Sequence, residues 1–583
     1  MRRYIQIMAI LVCAFEFTVV FADKNHDIEL AQRFLAIEKY DKAVDVLEKL
    51  FSRYPDDSDV QYMLRQAYIG AKKYDKLSSL LQSLLLKNPD NAALWIELGG
   101  VYLSQNKPDD AWKSFERAIS LKPKDIVIIK NIHNLLQQWS FIDDDIKFLK
   151  KSRKRLGNEN LFALELARLY EIQGKFDKVI EEYSRYLKEH PDRFSEVEHR
   201  ISVSQRTPDE LRQLRKSLNS LFDAQVPEWQ PWRLISIVEQ KLGNYDKAFD
   251  DMVKAENSRD ERHRGMLMAS FVREMLTAKE FSIAEKGARY IIANTGVNYS
   301  RTGRLYLARA LRGLGKYNNA LAELDTLMMA KIPPISQDAA IFMSQILLEN
   351  LHNPDSAQKV IDNYSETANG KNILGEDGLV IQGLIYIYKR QFSKAKYFLS
   401  DAFKNNNNSQ RLAYLLGMTY FFSSSYDTAS TALHNIVAKF PKSPLGNESV
   451  ELLLIMQTAK DELNKLNKPL YLMFIHDTLS AEKEWENISG KSNSAISDYI
   501  LWKLGICQLA LGNDTGFVTM EKLYTRFPKS FYAPLALEKL ADRDMQVGNI
   551  PSAVELYTKI INDYPDAVNI EGVRDKLKKL GNL

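Results

Sequence analysis

The chain has 583 residues, with 79 Lys plus Arg against 75 Asp plus Glu, a formal charge of +4 that excludes an electrostatically driven nucleic-acid binder. Apolar residues make up 45% and charged residues 26% of it, which excludes a disordered chain and a polytopic membrane protein. A single core holds about 100–200 residues, so this length requires several domains or a repeat array, and only 25 glycines speak against a turn-dense β fold.

The segment 1–22 reads as an address. Arg2 and Arg3 supply positive charge, Tyr4 to Phe15 is mostly apolar, and in Val20-Phe21-Ala22 the −3 and −1 positions before Asp23 hold the small-enough Val20 and Ala22. That is the pattern of a secretory signal peptide cleaved after Ala22. The stretch Ile5 to Phe21 carries Gln6, Glu16 and Thr18, and it falls short of the ~20 predominantly apolar residues of a membrane span. Val12 stands where a lipoprotein signal carries a small residue before its cysteine, so Cys13 is not read as a lipidation site. Cleavage leaves Cys507 alone, excluding an intrachain disulfide. Its apolar surroundings, Trp502 to Leu509, predict a buried structural thiol.

From residue 23 onward the chain is periodic. Pro55, Pro89 and Pro123 are evenly spaced, and Ala43, Leu77 and Ala111 keep the same interval. The clearest unit holds Trp95, Leu98, Gly99, Tyr102, Ala111, Phe115, Ala118 and Pro123, which are positions 4, 7, 8, 11, 20, 24, 27 and 32 of one repeat. Positions 4 to 11 share one face of a first helix, and positions 20 to 27 form the stripe of a second. Small residues at 8 and 20 allow close approach, and the proline stops the second helix. This resembles the tetratricopeptide repeat family, whose period of about 34 residues it shares. The resemblance implies an all-α, right-handed solenoid of stacked helix hairpins whose first helices line a concave groove.

The register predicts an N-terminal array over 23–191, a degenerate helical joint over 192–230 and a middle array over 231–441. Degenerate helices and further repeat units are expected over 442–583. Three stretches fit the pattern poorly: 124–157, where Asp145 stands in place of the small residue, 192–230 and 446–490. The links Lys439–Gly446 and Arg526–Leu540 share a Phe-Pro-Lys-Ser core. With the final unit around Ala553, Tyr557 and Pro565, they are similar to the BamD-like outer-membrane assembly lipoproteins and the YbgF-like Tol–Pal-associated proteins. That resemblance implies a periplasmic setting in a Gram-negative bacterium.

No motif carries chemistry of its own. The eight histidines never pair at i, i+4, and CxxC, GxSxG, GxxxxGK[ST] and GxGxxG are all absent. Catalytic residues, metal sites and cofactors are therefore not expected. The basic run Lys147–Arg155 reads as a solvated helix face compensated by Asp143-Asp144-Asp145. What remains is a binding surface. Positions 5, 9 and 12 of the first helices point into the groove, which gives Tyr62, Gln66 and Ile69, then Ile96, Gly100 and Leu103, then Leu164, Arg168 and Glu171. Such a lining suits an extended or helical peptide with apolar anchors. The expected function is a non-enzymatic exported scaffold for protein partners in envelope assembly or maintenance, with no nucleic acid and at most a peripheral association with the envelope. Two other readings stand beside it: a peptidoglycan- or glycan-binding protein, and a regulatory subunit of an envelope enzyme.

Overall fold

The computed structural model describes residues 24–367, 375–459, 462–490 and 495–581. The expected signal peptide, 1–22, lies outside them. Every regular element among the described residues is a helix, and none is a strand. The chain forms two compact units, divided between Ser258 and Arg259. That division falls inside the stretch expected as the middle array.

In the first unit the helices alternate as hairpins, beginning with 24–36 and Tyr40–Arg53, then Ser58–Gly70 and Tyr74–Lys87, then Ala92–Ser104 and Pro108–Leu121. Three local devices, each recurring once per repeat, cut the chain at the same places. Asp57, Asn91 and Asp125 cap the first helices, each side chain accepting from backbone N–H groups one turn on. Lys72, Asn106 and Ser140 take a left-handed conformation in the turn between first and second helix. There the N–H of Lys73, Lys107 or Phe141 donates to the carbonyl of Tyr68, Tyr102 or Leu136 at 2.8–2.9 Å, closing the helix end. Pro55, Pro89 and Pro123 stand two residues beyond the last residue of each second helix.

Packing uses the expected stripes. Leu98, Ala111, Phe115 and Ala118 are each buried, and a methyl group on Gly99 would collide with Phe115. Neighbouring hairpins are stitched at their turns by side chains: Lys73 to Asp41 at 2.7 Å, Gln105 to Asp75 at 2.9 Å and Gln173 to Asp143 at 2.8 Å.

The first misfit stretch is an ordinary hairpin, Ile126–Gln138 with Ile142–Leu156. Its Asp145 is fully buried and faces His133. The basic run on the second helix is mostly solvated, but Arg153 is buried and grips Glu182 through both terminal guanidinium nitrogens, at 3.1 and 2.6 Å. The second misfit is a shortened hairpin, Phe194–Val203 with Pro208–Ser217, opened by a capping box between Thr207 and Glu210 and extended by a 3-10 turn.

The second unit repeats the plan from Met266–Thr277 and Phe281–Asn294 to Ala533–Gln546 and Ile550–Asp563, closed by Ile570–Leu580. Its departure is the third misfit. After Pro444–Thr458 the chain does not fold straight back. Helix Leu463–Phe474 runs instead across the turns of two earlier hairpins. Tyr471 donates its hydroxyl to the carbonyls of Ile387 and Tyr388 at 3.1 Å, and Asn467 donates to that of Phe421 at 2.9 Å. The Tyr471 ring sits edge-on to Phe392 and Phe422. This helix is a strap over the turn edge. Glu451, on Pro444–Thr458, still reaches the following first helix Ser497–Ala510, accepting from Lys503 at 3.0 Å.

Candidate functional site

Helix Ser58–Gly70 buries Val60, Met63, Leu64, Ala67 and Tyr68. The opposite face leaves Tyr62, Gln66 and Ile69 exposed, at helical spacing along it, with Tyr62 57% and Ile69 41% accessible. These three are the residues at positions 5, 9 and 12 of their repeat. The Arg65 guanidinium lies 6.0 Å from the centre of the Tyr62 ring and bonds Glu97 on the next first helix at 2.5 Å. Burial pushes the Glu97 carboxyl above its ordinary pKa, with Arg65 opposing it.

The next helix corrects the expectation. Ile96 and Leu103 are buried rather than groove-lining. Helix Ile126–Gln138 packs directly on Ala92–Ser104, and the missing side chain of Gly100 lets Leu135 come within 3.1 Å of where a Cβ would stand. Ala92–Ser104 is therefore apolar on nearly every side because it is covered on nearly every side.

Farther along, Leu164 is half-buried and Arg168 is exposed. Glu171 is already engaged by Arg206, whose guanidinium also lies over Phe176. Burial holds the pKa of Arg206 down to about 10. Glu171 thus ties the first helix Ala163–Ile172 to the loop of the shortened hairpin.

The register set missed Ile126 and Val127, exposed at the start of Ile126–Gln138. The signal was present: a β-branched pair stands where the two preceding units carry Ser58-Asp59 and Ala92-Ala93. With Lys130 and Asn134 they continue an exposed first-helix face. The first-helix surface of the first unit thus offers Tyr62, Ile69 and Val127 as apolar anchors, Gln66 and Asn134 as hydrogen-bonding groups, and Lys130 and Arg168 as cations. Such a face can hold a peptide through distributed contacts.

Among the described residues no group of three or more His, Cys, Asp or Glu side chains is arranged to hold a metal ion. No helix there is long and apolar enough to cross a membrane.

Residues 78–126 match the tetratricopeptide repeat family. The match centres on the hairpin of Gly99, Ala111 and Phe115. No curated protein matches the chain. Among solved structures, the chain is similar to a Naa15/Naa10 complex bound to HypK-THB, at 12% identity over 95% of this chain and 99% of that one, with a TM-score of 0.25. It is similar to yeast Tom70 at 15% identity over 78% and 98%, with a TM-score of 0.29. It is also similar to the APC/C hetero-tetramer Cut9–Hcn1 at 13% identity over 95% and 96%, with a TM-score of 0.24.

Proposed function

We propose that the chain is a non-enzymatic scaffold that holds protein partners on its first-helix surface, working after export in the periplasm during envelope assembly or maintenance. The observation that carries the binding part is the exposed face of Tyr62, Gln66 and Ile69, set on a helix whose other side is fully committed to packing. A rigid helix presenting apolar side chains to water at helical spacing is suited to an extended or helical ligand. The export part rests on the leader pattern of residues 1–22, and the envelope part on the resemblance of the carboxy-terminal links.

A photo-activatable residue placed at Tyr62 or Ile69 in the full-length chain tests both parts in cells. The expected result is a discrete set of cross-linked proteins in the periplasmic fraction, absent when the same group replaces exposed Leu86 on a second helix. Recovery in the cytoplasm would sink the export reading, and identical products from Leu86 would sink the surface assignment.

The exposed Tyr62 ring also favours a second reading, in which a sugar ring stacks on it. Cosedimentation with purified cell-wall sacculi that Tyr62→Ala abolishes would replace the peptide ligand by a glycan.

A further inference from the structure

In the regular hairpins a first helix is covered by its own second helix. Leu64 and Tyr68, or Leu98 and Tyr102, are the residues that face it, and Leu64 and Leu98 are at most 2% exposed. Helix Pro444–Thr458 carries Val450 and Leu454 at those two places, and they are 39% and 54% exposed. The cause is the strap. The next helix, Leu463–Phe474, lies over the turns of the two preceding hairpins and turns into Thr478–Ser489 instead of folding back on Pro444–Thr458. What it leaves is a groove of about 860 Å³ between Tyr426–Lys439 and Pro444–Thr458, lined by Ser430, His434, Val437, Val450, Leu454 and Gln457.

We propose that this groove takes an amphipathic helix from a partner protein, which completes the repeat as its missing second helix. The lattice of the fold fixes the occupant's shape. Tyr426–Lys439 has 14 residues, so a helix of about 12–14 residues, roughly 20 Å long, fills the place beside it. Successive second helices run in the same direction, so the incoming N-terminus lies next to that of Tyr426–Lys439. The exposed carboxylate of Asp427 borders the groove at that end. A helix N-terminus carries a partial positive charge and meets an acid there favourably. Along the rest of the groove the lining side chains above include no carboxylate, lysine or arginine, so the docking face of the occupant is apolar, with a small residue where it crosses closest and larger apolar groups one and two turns on. Helix Ile550–Asp563 of this same chain has that stripe in Ala553, Tyr557 and Ile560, all buried in its own repeat. This groove is a different surface from the first-helix face of Tyr62, Gln66 and Ile69.

The probe is a fluorescent peptide of residues 549–564, stapled on its exposed face to remove most of the ordering cost, titrated into the full-length chain. Saturable binding is expected, weakened about tenfold or more by Leu454→Glu and by Val450→Glu, and unchanged by Leu86→Glu in the other unit. Both test positions are exposed, and circular dichroism checks that the variants keep their helix content. A scrambled peptide should not bind. Absence of saturable binding, or binding indifferent to the Leu454 and Val450 changes, overturns the proposal. Concentration-dependent dimerisation abolished by Leu454→Glu overturns it too, by making a second copy of the chain the occupant.

Discussion

His133 Nδ1 lies 2.9 and 2.8 Å from the two carboxylate oxygens of Asp145, joining the two helices of one hairpin from within its core. In the neighbouring repeat the same two positions are Gly99 and Ala111. A contact usually made by the absence of side chains is made here by a buried hydrogen-bonded pair. His133→Ala leaves a buried carboxylate without its partner, a loss of about 3–5 kcal/mol. Asp145→Ala leaves no buried carboxylate behind, and costs less. The double change restores small residues at both positions and is expected to be more stable than His133→Ala alone. Amide hydrogen exchange over 126–156 reads this locally, as an array this long need not unfold in one step. Costs that simply add would show that the two residues do not act as a pair.

The same carboxyl gives a pH signature. Burial raises the pKa of Asp145, and His133 only partly opposes it. A group whose folded pKa stands above its unfolded one contributes stability that is full below the unfolded value and lost as pH rises through the folded one. Asp145→Asn has no such loss. The exchange protection of its 126–156 hairpin should therefore gain on the parent as pH rises above about 4. Parallel profiles there would contradict a buried Asp145 carboxyl that ionises in place.

Gly99 and Phe115 make the other kind of contact. Gly99→Ala forces the ring aside in a filled core, at a cost of about 1–3 kcal/mol. Phe115→Leu on that background should recover part of the loss, since it removes the obstructing ring atoms. Gly157→Ala makes a useful contrast. Its surroundings are open but its φ is +69°, so its cost is about 1 kcal/mol of backbone strain and no repacking can relieve it. A double variant no more stable than Gly99→Ala would rule out the steric account.

These residues also mark how far the sequence could be read. Small residues at the helix crossing and prolines after the second helix act within a single repeat, so the period exposes them, and the regular hairpins follow. Asp145 looked like a flaw because its compensation, His133, sits on the other helix of the hairpin and is visible only when both positions are read together. Ile96 and Leu103 depended on how closely the next helix approaches, which Gly100 and Leu135 decide from two different units. The strap was beyond reach of the period altogether. Tyr471 bonds carbonyls 83 and 84 residues away, and no local signal marks such a partner.

Tyr471 anchors the strap, and its two functions can be separated. Tyr471→Phe keeps the ring between Phe392 and Phe422 and removes only the hydroxyl, a loss of about 1 kcal/mol. Tyr471→Ala also empties the aromatic seat and should cost about 3–5 kcal/mol. Hydrogen exchange over 463–474 should rise modestly in the first variant and steeply in the second, while helix Ser58–Gly70 in the other unit stays unchanged. Equal exchange in both variants would show that the ring contacts do not hold the strap.

Cys507 is buried, and burial pushes its thiol pKa up to about 11, with the carboxylate of Glu482 adding to the shift. An unfolded cysteine ionises near 8.5, and only the thiolate reacts with a disulfide reagent. At pH 8 the native chain should therefore be labelled at least about a hundredfold more slowly than the chain in denaturant. The raised pKa also fixes the direction of its linkage. The thiol's contribution to stability is full below about 8.5 and is lost as pH climbs through the folded value, so Cys507→Ala should flatten part of the alkaline decline. Rapid stoichiometric labelling of the native chain at pH 8 would place the thiol at an accessible surface and remove the basis for both expectations.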